Sequence, residues 1–277
     1  MAGALGPVDV ALDKLATLLL EKEARLSTLD GDARLEAHAA VLRRKRMLAD
    51  VFVGMNRLLL ALETRYLNAG EGVRVELGAG VTPLRLTDPA VKSSDVLPAP
   101  HLDLVVDAQR MPFKNGGVKT IFGKECFHHF PEPLRFFREA VRVLAPGGVI
   151  LLIDPYYGPL ASVLYKRMFA SETFDKRGDW ESHASGPMNG ANQALSYVVF
   201  VRDRDRFERE CPELEIVHMQ PLRSYLRYLL SGGLNFRQLV PDLFVPLIHG
   251  MERLLAPIER VFALHHVIVL RRRLARG

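Results

Sequence analysis

The sequence predicts an α/β fold, a doubly wound and mostly parallel sheet with helices on both faces. From residue 73 onward, short apolar segments alternate with helical segments, which is typical of parallel strands joined by helical crossovers. The first apolar segment, residues 73–77, alternates apolar and charged side chains. It runs directly into the glycine turn Gly78-Ala79-Gly80, and a strand followed by such a turn is typical of nucleotide-binding sites.

Seven segments have the length and composition of strands. Several are nearly unbroken apolar runs, as strands buried on both faces of a parallel sheet require. Pro83 suits the first turn of a helix after the glycine turn, and residues 133–144 predict an amphipathic helix. Residues 204–210 predict a shorter helix. The seven predicted strands are residues 73–77, 91–95, 102–106, 118–123, 149–153, 214–219 and 265–270.

The two ends of the chain predict additional helices. Apolar residues recur at helical spacing in residues 8–68, with a turn at 30–32 and a third helical segment at 53–67. We expect residues 1–70 to form a helical cap on a domain that spans residues 71–277. The cap either packs on that domain or covers its active site with one helix. Residues 222–262 are apolar but broken by glycine and proline, which favours a helical lid inserted before the last strand.

Composition narrows the class of protein. The chain has 277 residues with a net charge of +5 spread over its length, which argues against nucleic acid as a partner. Its two cysteines provide neither a disulfide framework nor a metal cluster. Residues 1–10 lack the features of a secretory signal, and no apolar run reaches the ~18 residues of a membrane span. We expect a cytoplasmic protein, with peripheral membrane contact and a homodimer both left open.

Acidic residues follow several successive strands. Glu76, Asp95, Asp107 and Asp154 stand at predicted strand ends, which share one edge of a parallel sheet. Asp95 lies nineteen residues after Glu76, close to the ~20-residue spacing at which an acid meets a ribose hydroxyl. Asp107 is followed by Ala108 and an apolar stretch that suits a flat adenine ring. Each acid alone is equally consistent with a helix cap, but the ordered set indicates a nucleoside-binding edge.

Four motifs carry a resemblance to a known family. "VELGAG", "DAQRMPF", "FHHF" and "RVLAPGGVILLIDP" stand in the order and spacing of the class I S-adenosylmethionine-dependent methyltransferases. The resemblance covers residues 73–155 and implies a Rossmann-like fold, methyltransferase activity and S-adenosyl-L-methionine as cofactor. With "SDVLP" and "GANQALSYVVFVRDR", the longer pattern is similar to a little-characterised bacterial branch that we associate with glycan and glycolipid gene neighbourhoods.

The resemblance implies a set of cofactor-binding residues. Gly78 and Gly80 would flank the methionine part of the cofactor, and Asp95 would hold the ribose. Asp107 would bind the adenine amino group. The third glycine of the family pattern is Thr82 here, which argues against a dinucleotide, whose pyrophosphate needs close approach at the helix start. The full implied set is Glu76, Gly78, Ala79, Gly80, Asp95, Val96, Asp107 and Ala108.

His128 is the candidate catalytic residue. It belongs to the His128-His129 pair after the fourth strand, and histidine titrates near neutrality, so it could remove a proton from an acceptor hydroxyl. The other interpretation is a packing role. No metal-ligand set is apparent, so we expect no metal. The acceptor is expected to be small, glycan-linked or lipid-linked, and methylated on oxygen. An NAD-dependent oxidoreductase and a non-catalytic cofactor-binding protein are the alternatives.

Overall fold

The computed structural model describes residues 18–22, 31–168, 172–181 and 191–274. The predicted turn at 30–32 and the earlier predicted helices lie partly outside these ranges. Helix α1 spans Gly31–Arg44, so Gly31 belongs to a helix, and α2 spans Arg46–Tyr66. The prediction of a separate helix at 53–67 is wrong, because α2 runs unbroken through residue 53. The helical structure is interrupted at Lys45 instead.

The seven predicted strands are all present in one sheet. They are β1 Val73–Leu77, β2 Lys92–Asp95, β3 Leu104–Val105, β4 Val118–Lys124, β5 Leu144–Pro155, β6 Leu214–Pro221 and β7 His265–Arg272. Their order is β3-β2-β1-β4-β5-β7-β6, the neighbouring strands among the first five in this order pair in parallel, and β7 is antiparallel to both β5 and β6. Because β1 lies between β2 and β4, its carboxyl end meets theirs, and the glycine turn lies away from both ends of that sheet edge.

Helices connect and cover the strands. The predicted helix after the glycine turn is present only as the 3₁₀ turn Leu84–Leu86, because the chain must enter β2 at Lys92 only a few residues later. The short helix Leu195–Tyr197 continues as the π-helix Val198–Arg202. The remaining helices are α3 Pro133–Val143, α4 Pro159–Met168, α5 Leu195–Tyr197, α6 Arg204–Glu210, α7 Tyr225–Ser231, α8 Val245–Leu254 and α9 Glu259–Phe262.

The two faces of the sheet have separate apolar cores. On one face, Phe136 and Phe137 of α3 pack with Phe200 and Phe207 against the strands. On the other face, α2 buries residues such as Phe52 against Phe122, Val149 and neighbouring strand residues. Helix α2 therefore covers the sheet directly, and the division of the chain at residue 70 stays a prediction. None of the described helices has both the length and the apolar character to cross a membrane.

Candidate functional site

The two glycines of the turn after β1 are required for different reasons. Both have the left-handed backbone conformation that favours glycine, with φ of +60° at Gly78 and +50° at Gly80. A Cβ atom on Gly78 would lie 2.5 Å from Cβ of Cys126, whereas a Cβ on Gly80 would meet no atom within 4 Å. Gly78 is therefore needed for packing, and Gly80 opens the space beside the turn.

A buried ion pair lies beneath this turn. The fully buried Glu76 carboxylate accepts hydrogen bonds from Leu84 N at 2.6 Å and Ser93 Oγ at 2.7 Å. Lys124 Nζ lies 3.3 Å from Oε1 of Glu76. Burial raises the pKa of Glu76, although Lys124 and these hydrogen bonds oppose the shift. Glu76 thus joins β1 to the start of the 3₁₀ turn and to β2.

Lys124 extends the same network to the other side of the turn. Its Nζ donates to Oδ1 of Asn56 on α2 at 2.6 Å, and to both the backbone oxygen and the hydroxyl of Thr82. Burial lowers the pKa of Lys124, and Glu76 opposes the shift. Thr82, which replaces the glycine of the family pattern, is thus an acceptor for this lysine. The sequence analysis did not identify Lys124 or Asn56; the one available signal was a lysine ending a buried strand.

The carboxylates after β2 and β3 are oriented by backbone amides. Asp95 accepts from Gly80 N at 3.0 Å and from Val96 N at 2.8 Å, one amide on each oxygen. Asp107 Oδ1 accepts from Gln109 N at 2.8 Å. Because a carboxylate oxygen has two lone pairs, these groups can still accept from a ligand.

A cavity of about 440 Å³ joins the turn and these carboxylates, a volume within the usual range for a small-molecule site. Seven of the eight predicted cofactor-binding residues line it, together with His128. Glu76 is the exception, because its carboxylate lies beneath the turn. Other residues of the lining were not singled out from the sequence. They come from α1, from the segments that follow β5 and from α7: Arg34, His38, Tyr165, Glu172, Gln193 and Tyr228.

His128 is held by a carboxylate at the end of the adjacent strand. Its Nδ1 lies 2.8 Å from Oδ1 of Asp154 on β5. Burial lowers the pKa of His128, but Asp154, with smaller contributions from Glu172 and Glu125, outweighs it and raises the pKa to about 9. The imidazole is consequently protonated at neutral pH in the absence of a ligand. Burial raises the pKa of Asp154, and the charged His128 opposes that shift.

Glu172 links several charged groups at the same end of the cavity. Its carboxylate lies 3.8 Å from His128 Nε2, 3.9 Å from His129 Nε2 and 3.8 Å from Arg34 Nη2, and Gln193 donates to it. His128, His129 and Glu172 are close enough to share one metal ion. Because the positive charge of Arg34 already lies beside the Glu172 carboxylate, we interpret the group as a network of charges and hydrogen bonds.

Glu125 stands beside this network in a strained backbone conformation. It follows β4 directly and has φ of +54°, unlike every other described non-glycine residue. Its carboxylate lies 2.6 Å from His265 Nε2 at the start of β7, and it lines the cavity. Strain of this kind persists where the surrounding structure imposes it, and it is frequent at functional sites.

A second and smaller cavity adjoins the first. Its volume is about 80 Å³, and its lining is mainly apolar, with Leu164, Leu229, Phe236 and Leu264 among its residues. Four residues line both cavities: Tyr165, Tyr228, Leu234 and Asn235. The segment 222–262, for which the sequence predicts a lid, thus borders the main cavity and contributes to an apolar extension of it.

Residues 74–152 match the model of a protein family described as a methyltransferase domain. The matched segment contains the glycine turn, both carboxylates and His128. Residues 74–152 are therefore similar to the methyltransferase domain of the class I S-adenosylmethionine-dependent enzymes, and S-adenosylmethionine is the cofactor that such a domain implies.

Two curated relatives share this part of the chain. Tocopherol O-methyltransferase, chloroplastic, of Arabidopsis thaliana is 27% identical over 137 residues, which is 48% of this chain and 37% of that protein. Phthiotriol/phenolphthiotriol dimycocerosates methyltransferase 1 of Mycobacterium ulcerans (strain Agy99) is 27% identical over 149 residues, which is 50% of this chain and 49% of that protein. The matched segments span less than half the length of either relative.

Among solved structures, geranyl diphosphate C-methyltransferase from Streptomyces coelicolor A3(2) has a TM-score of 0.45 at 13% identity, covering 98% of this chain and 100% of that one. A putative methyltransferase solved in complex with the Haloferax volcanii Trm112 activator also has a TM-score of 0.45, at 14% identity, covering 95% and 98%. At this level of likeness, neither bears on the acceptor or on partners.

The cavity has features that fit the implied cofactor. The open space beside Gly80 is where a side chain on that residue would project. Asp95 and Asp107 supply acceptors for the hydroxyls and the amino group of a nucleoside, and Ala108 adds a small apolar surface. No phosphate has to approach the start of the 3₁₀ turn, where Thr82 replaces glycine.

The different surroundings of the two glycines predict different effects of the same substitution. Gly78→Ala should lower the free energy of unfolding by about 2–4 kcal/mol, because it combines a strained φ with a clash at Cys126. Gly80→Ala is the matched control and should cost only about 1–2 kcal/mol, for backbone strain alone. Denaturant unfolding monitored by circular dichroism gives both values. Equal losses would mean that contact with Cys126 is not what requires Gly78.

Proposed function

We propose that this chain transfers the methyl group of S-adenosylmethionine to an oxygen atom of an acceptor that is small, glycan-linked or lipid-linked. The observation that supports this most directly is the position of His128. It lines the same cavity as the glycine turn and the two ligand-binding carboxylates, and Asp154 orients its ring. In this proposal, a single cavity contains both the cofactor site and a group capable of proton transfer.

In this proposal the cofactor lies along the sheet edge. Residues 78–80 contact its methionine part, Asp95 and Val96 its ribose, and Asp107 and Ala108 its adenine. Glu76 acts indirectly, because it and Lys124 hold the turn from below. The cofactor supplies a methyl group that is already activated, so the main task of the protein is to align the acceptor oxygen, which can contribute ~7–11 kcal/mol.

His128 can act as a base only in its neutral form. Its pKa of about 9 means that most molecules carry a charged His128 at pH 7, so the active fraction should increase as the pH rises. The Nε2 atom is the one available to an acceptor, since Nδ1 is held by Asp154. The proton taken from the acceptor would remain on an imidazole whose charged form Asp154 stabilises.

An apolar part of the acceptor is supported by two observations. The small apolar cavity that adjoins the main one offers space for hydrocarbon beside the proposed transfer site. In addition, one relative is named for O-methylation of tocopherol and another for methylation of phthiotriol and phenolphthiotriol dimycocerosates. We propose by analogy that this chain acts on an acceptor with a lipid portion. A cytoplasmic location is a separate expectation, drawn from the sequence alone.

The two alternatives differ in standing. The methyltransferase match and Thr82 disfavour an NAD-dependent oxidoreductase. A non-catalytic protein that binds S-adenosylmethionine has the same cofactor residues, so only activity separates it from an enzyme.

Transfer of a labelled methyl group from the cofactor into a host-cell extract, with separate extraction of lipid and aqueous products, tests the proposal. A labelled product that His128→Ala fails to form supports it; a complete lack of incorporation across extracts, by protein that binds the cofactor, contradicts it.

Removing either nucleoside-binding carboxylate should weaken cofactor binding. Hydrogen bonds to charged groups are worth ~1.5–3 kcal/mol, so Asp95→Ala and Asp107→Ala should each raise the Kd roughly ten- to hundred-fold. Asp205→Ala, which removes an exposed aspartate on α6 away from the cavity, is the matched control and should leave the Kd unchanged. Titration calorimetry with S-adenosylhomocysteine provides the comparison. Wild-type affinity in both cavity variants would contradict the proposed ribose and adenine positions.

If His128 is the base, the rate should depend on pH in a defined direction. With an acceptor in hand, kcat/KM should rise about tenfold per pH unit from pH 6 to 8 and level off above pH 9, because the neutral imidazole is the active form. His128→Asn should lower kcat by ~10²–10⁴-fold, remove this dependence and leave cofactor affinity largely intact. His218→Asn, on β6 outside the cavity, serves as the control. A wild-type rate that is flat with pH would return His128 to a packing role.

A further inference from the structure

The surface of the lid carries an outward-facing apolar stripe. Leu243, Leu247, Met251 and Leu254 follow one another at spacings of four, four and three residues, which places them along one side of α8 and the turn before it. They are 75%, 62%, 46% and 79% exposed. The helix buries Ile248 and Glu252 and leaves the leucines and the methionine of the stripe exposed.

The stripe lies in a segment of the chain that exposes many large apolar side chains. Residues 239–261 contain eight of the seventeen large hydrophobic side chains that are exposed in the described part of the chain. Monomeric proteins rarely expose such a concentration without a binding role. We call these eight residues the lid face; they are Leu239, Leu243, Phe244, Leu247, Met251, Leu254, Ile258 and Val261.

The charges around the lid face are sorted by sign. The exposed charged residues between positions 239 and 261 are Arg253 and Arg260, both basic. The acids of this segment are engaged elsewhere: the buried Glu252 pairs with Arg227 at 2.7 Å, and Glu259 accepts from Arg223 at 2.8 Å. Asp242, the third acid, accepts from Met47 N and from the Gln238 side chain. This segment therefore presents hydrocarbon and positive charge, and its three acids are buried or only partly exposed.

We propose that the lid face binds the surface of an anionic lipid bilayer. Exposed apolar side chains edged by arginine suit the boundary between acyl chains and negatively charged headgroups. A second copy of the chain fits less well, because a two-fold contact through this face would bring Arg253 and Arg260 of both copies into one apolar interface.

The small apolar cavity connects the lid face to the interior. Leu239 lines this cavity and is also 51% exposed as part of the lid face. The cavity in turn shares Tyr165, Tyr228 and Leu234 with the main cavity. A lipid-linked acceptor could thus reach the transfer site without its hydrocarbon crossing water. This route rests on the proposed function, whereas binding of the lid face to a bilayer does not.

Sedimentation of the full chain with lipid vesicles tests the proposal. Binding to vesicles of phosphatidylcholine with phosphatidylglycerol should exceed binding to phosphatidylcholine alone, and moderate salt should weaken it. Arg253→Gln with Arg260→Gln should lower affinity for the anionic vesicles at least tenfold, because each basic residue near such a surface contributes several-fold. Leu247→Ser with Leu254→Ser should lower it by about as much or more, through lost apolar burial.

Matched controls separate the lid face from charge and hydrophobicity in general. Arg135→Gln with Arg204→Gln changes net charge equally, and Leu86→Ser with Val201→Ser removes two exposed apolar side chains elsewhere. Both controls should bind like the wild type.

Three results would overturn the proposal: no sedimentation with anionic vesicles, equal losses in lid and control variants, or a dimer that dissociates in Leu247→Ser with Leu254→Ser while vesicle binding is absent. Vesicle binding without methyl transfer would leave the surface assignment intact and remove only the proposed function.

Discussion

The buried ion pair between Glu76 and Lys124 is the constraint on which the arrangement of the site depends. Two opposite charges 3.3 Å apart in the interior need further hydrogen bonds to offset the loss of water. Here those hydrogen bonds come from the elements that surround the cavity. Glu76 holds the 3₁₀ turn and β2, while Lys124 holds Thr82 and α2. The glycine turn is thereby fixed from below, which leaves its upper surface free for a ligand.

The second set of charges stands at the other end of the cavity and has a different character. Asp154, Glu125 and Glu172 surround His128 and favour its protonated form. The cavity thus combines a rigid, amide-lined end that suits a nucleoside with an end whose charge can change by one proton. A methyl transfer to oxygen requires both, because the cofactor must be aligned and the acceptor must lose a proton. The lid adds an apolar boundary to the second end.

The sequence predicted the sheet and part of the cavity lining because both are encoded by local patterns. The seven strands follow from short segments of strand-like composition, and Asp95 and Asp107 stand at or directly after the ends of two of them. The details that depend on pairing were less accurate: β3 has only two residues because Leu104 and Val105 alone pair with β2 at the sheet edge. Lys124, Arg34 and Glu172 could not be predicted, because distant segments bring them together only when the chain packs.

We propose that the edge of the sheet at Gly78 to Gly80 binds S-adenosylmethionine. Titration calorimetry of the purified chain with S-adenosylmethionine, S-adenosylhomocysteine and NAD tests it most directly. We predict a Kd in the micromolar range, ~−8 kcal/mol, for the first two and no measurable heat with NAD. Tight binding of NAD, with no binding of S-adenosylmethionine or S-adenosylhomocysteine, would contradict this assignment of the cofactor.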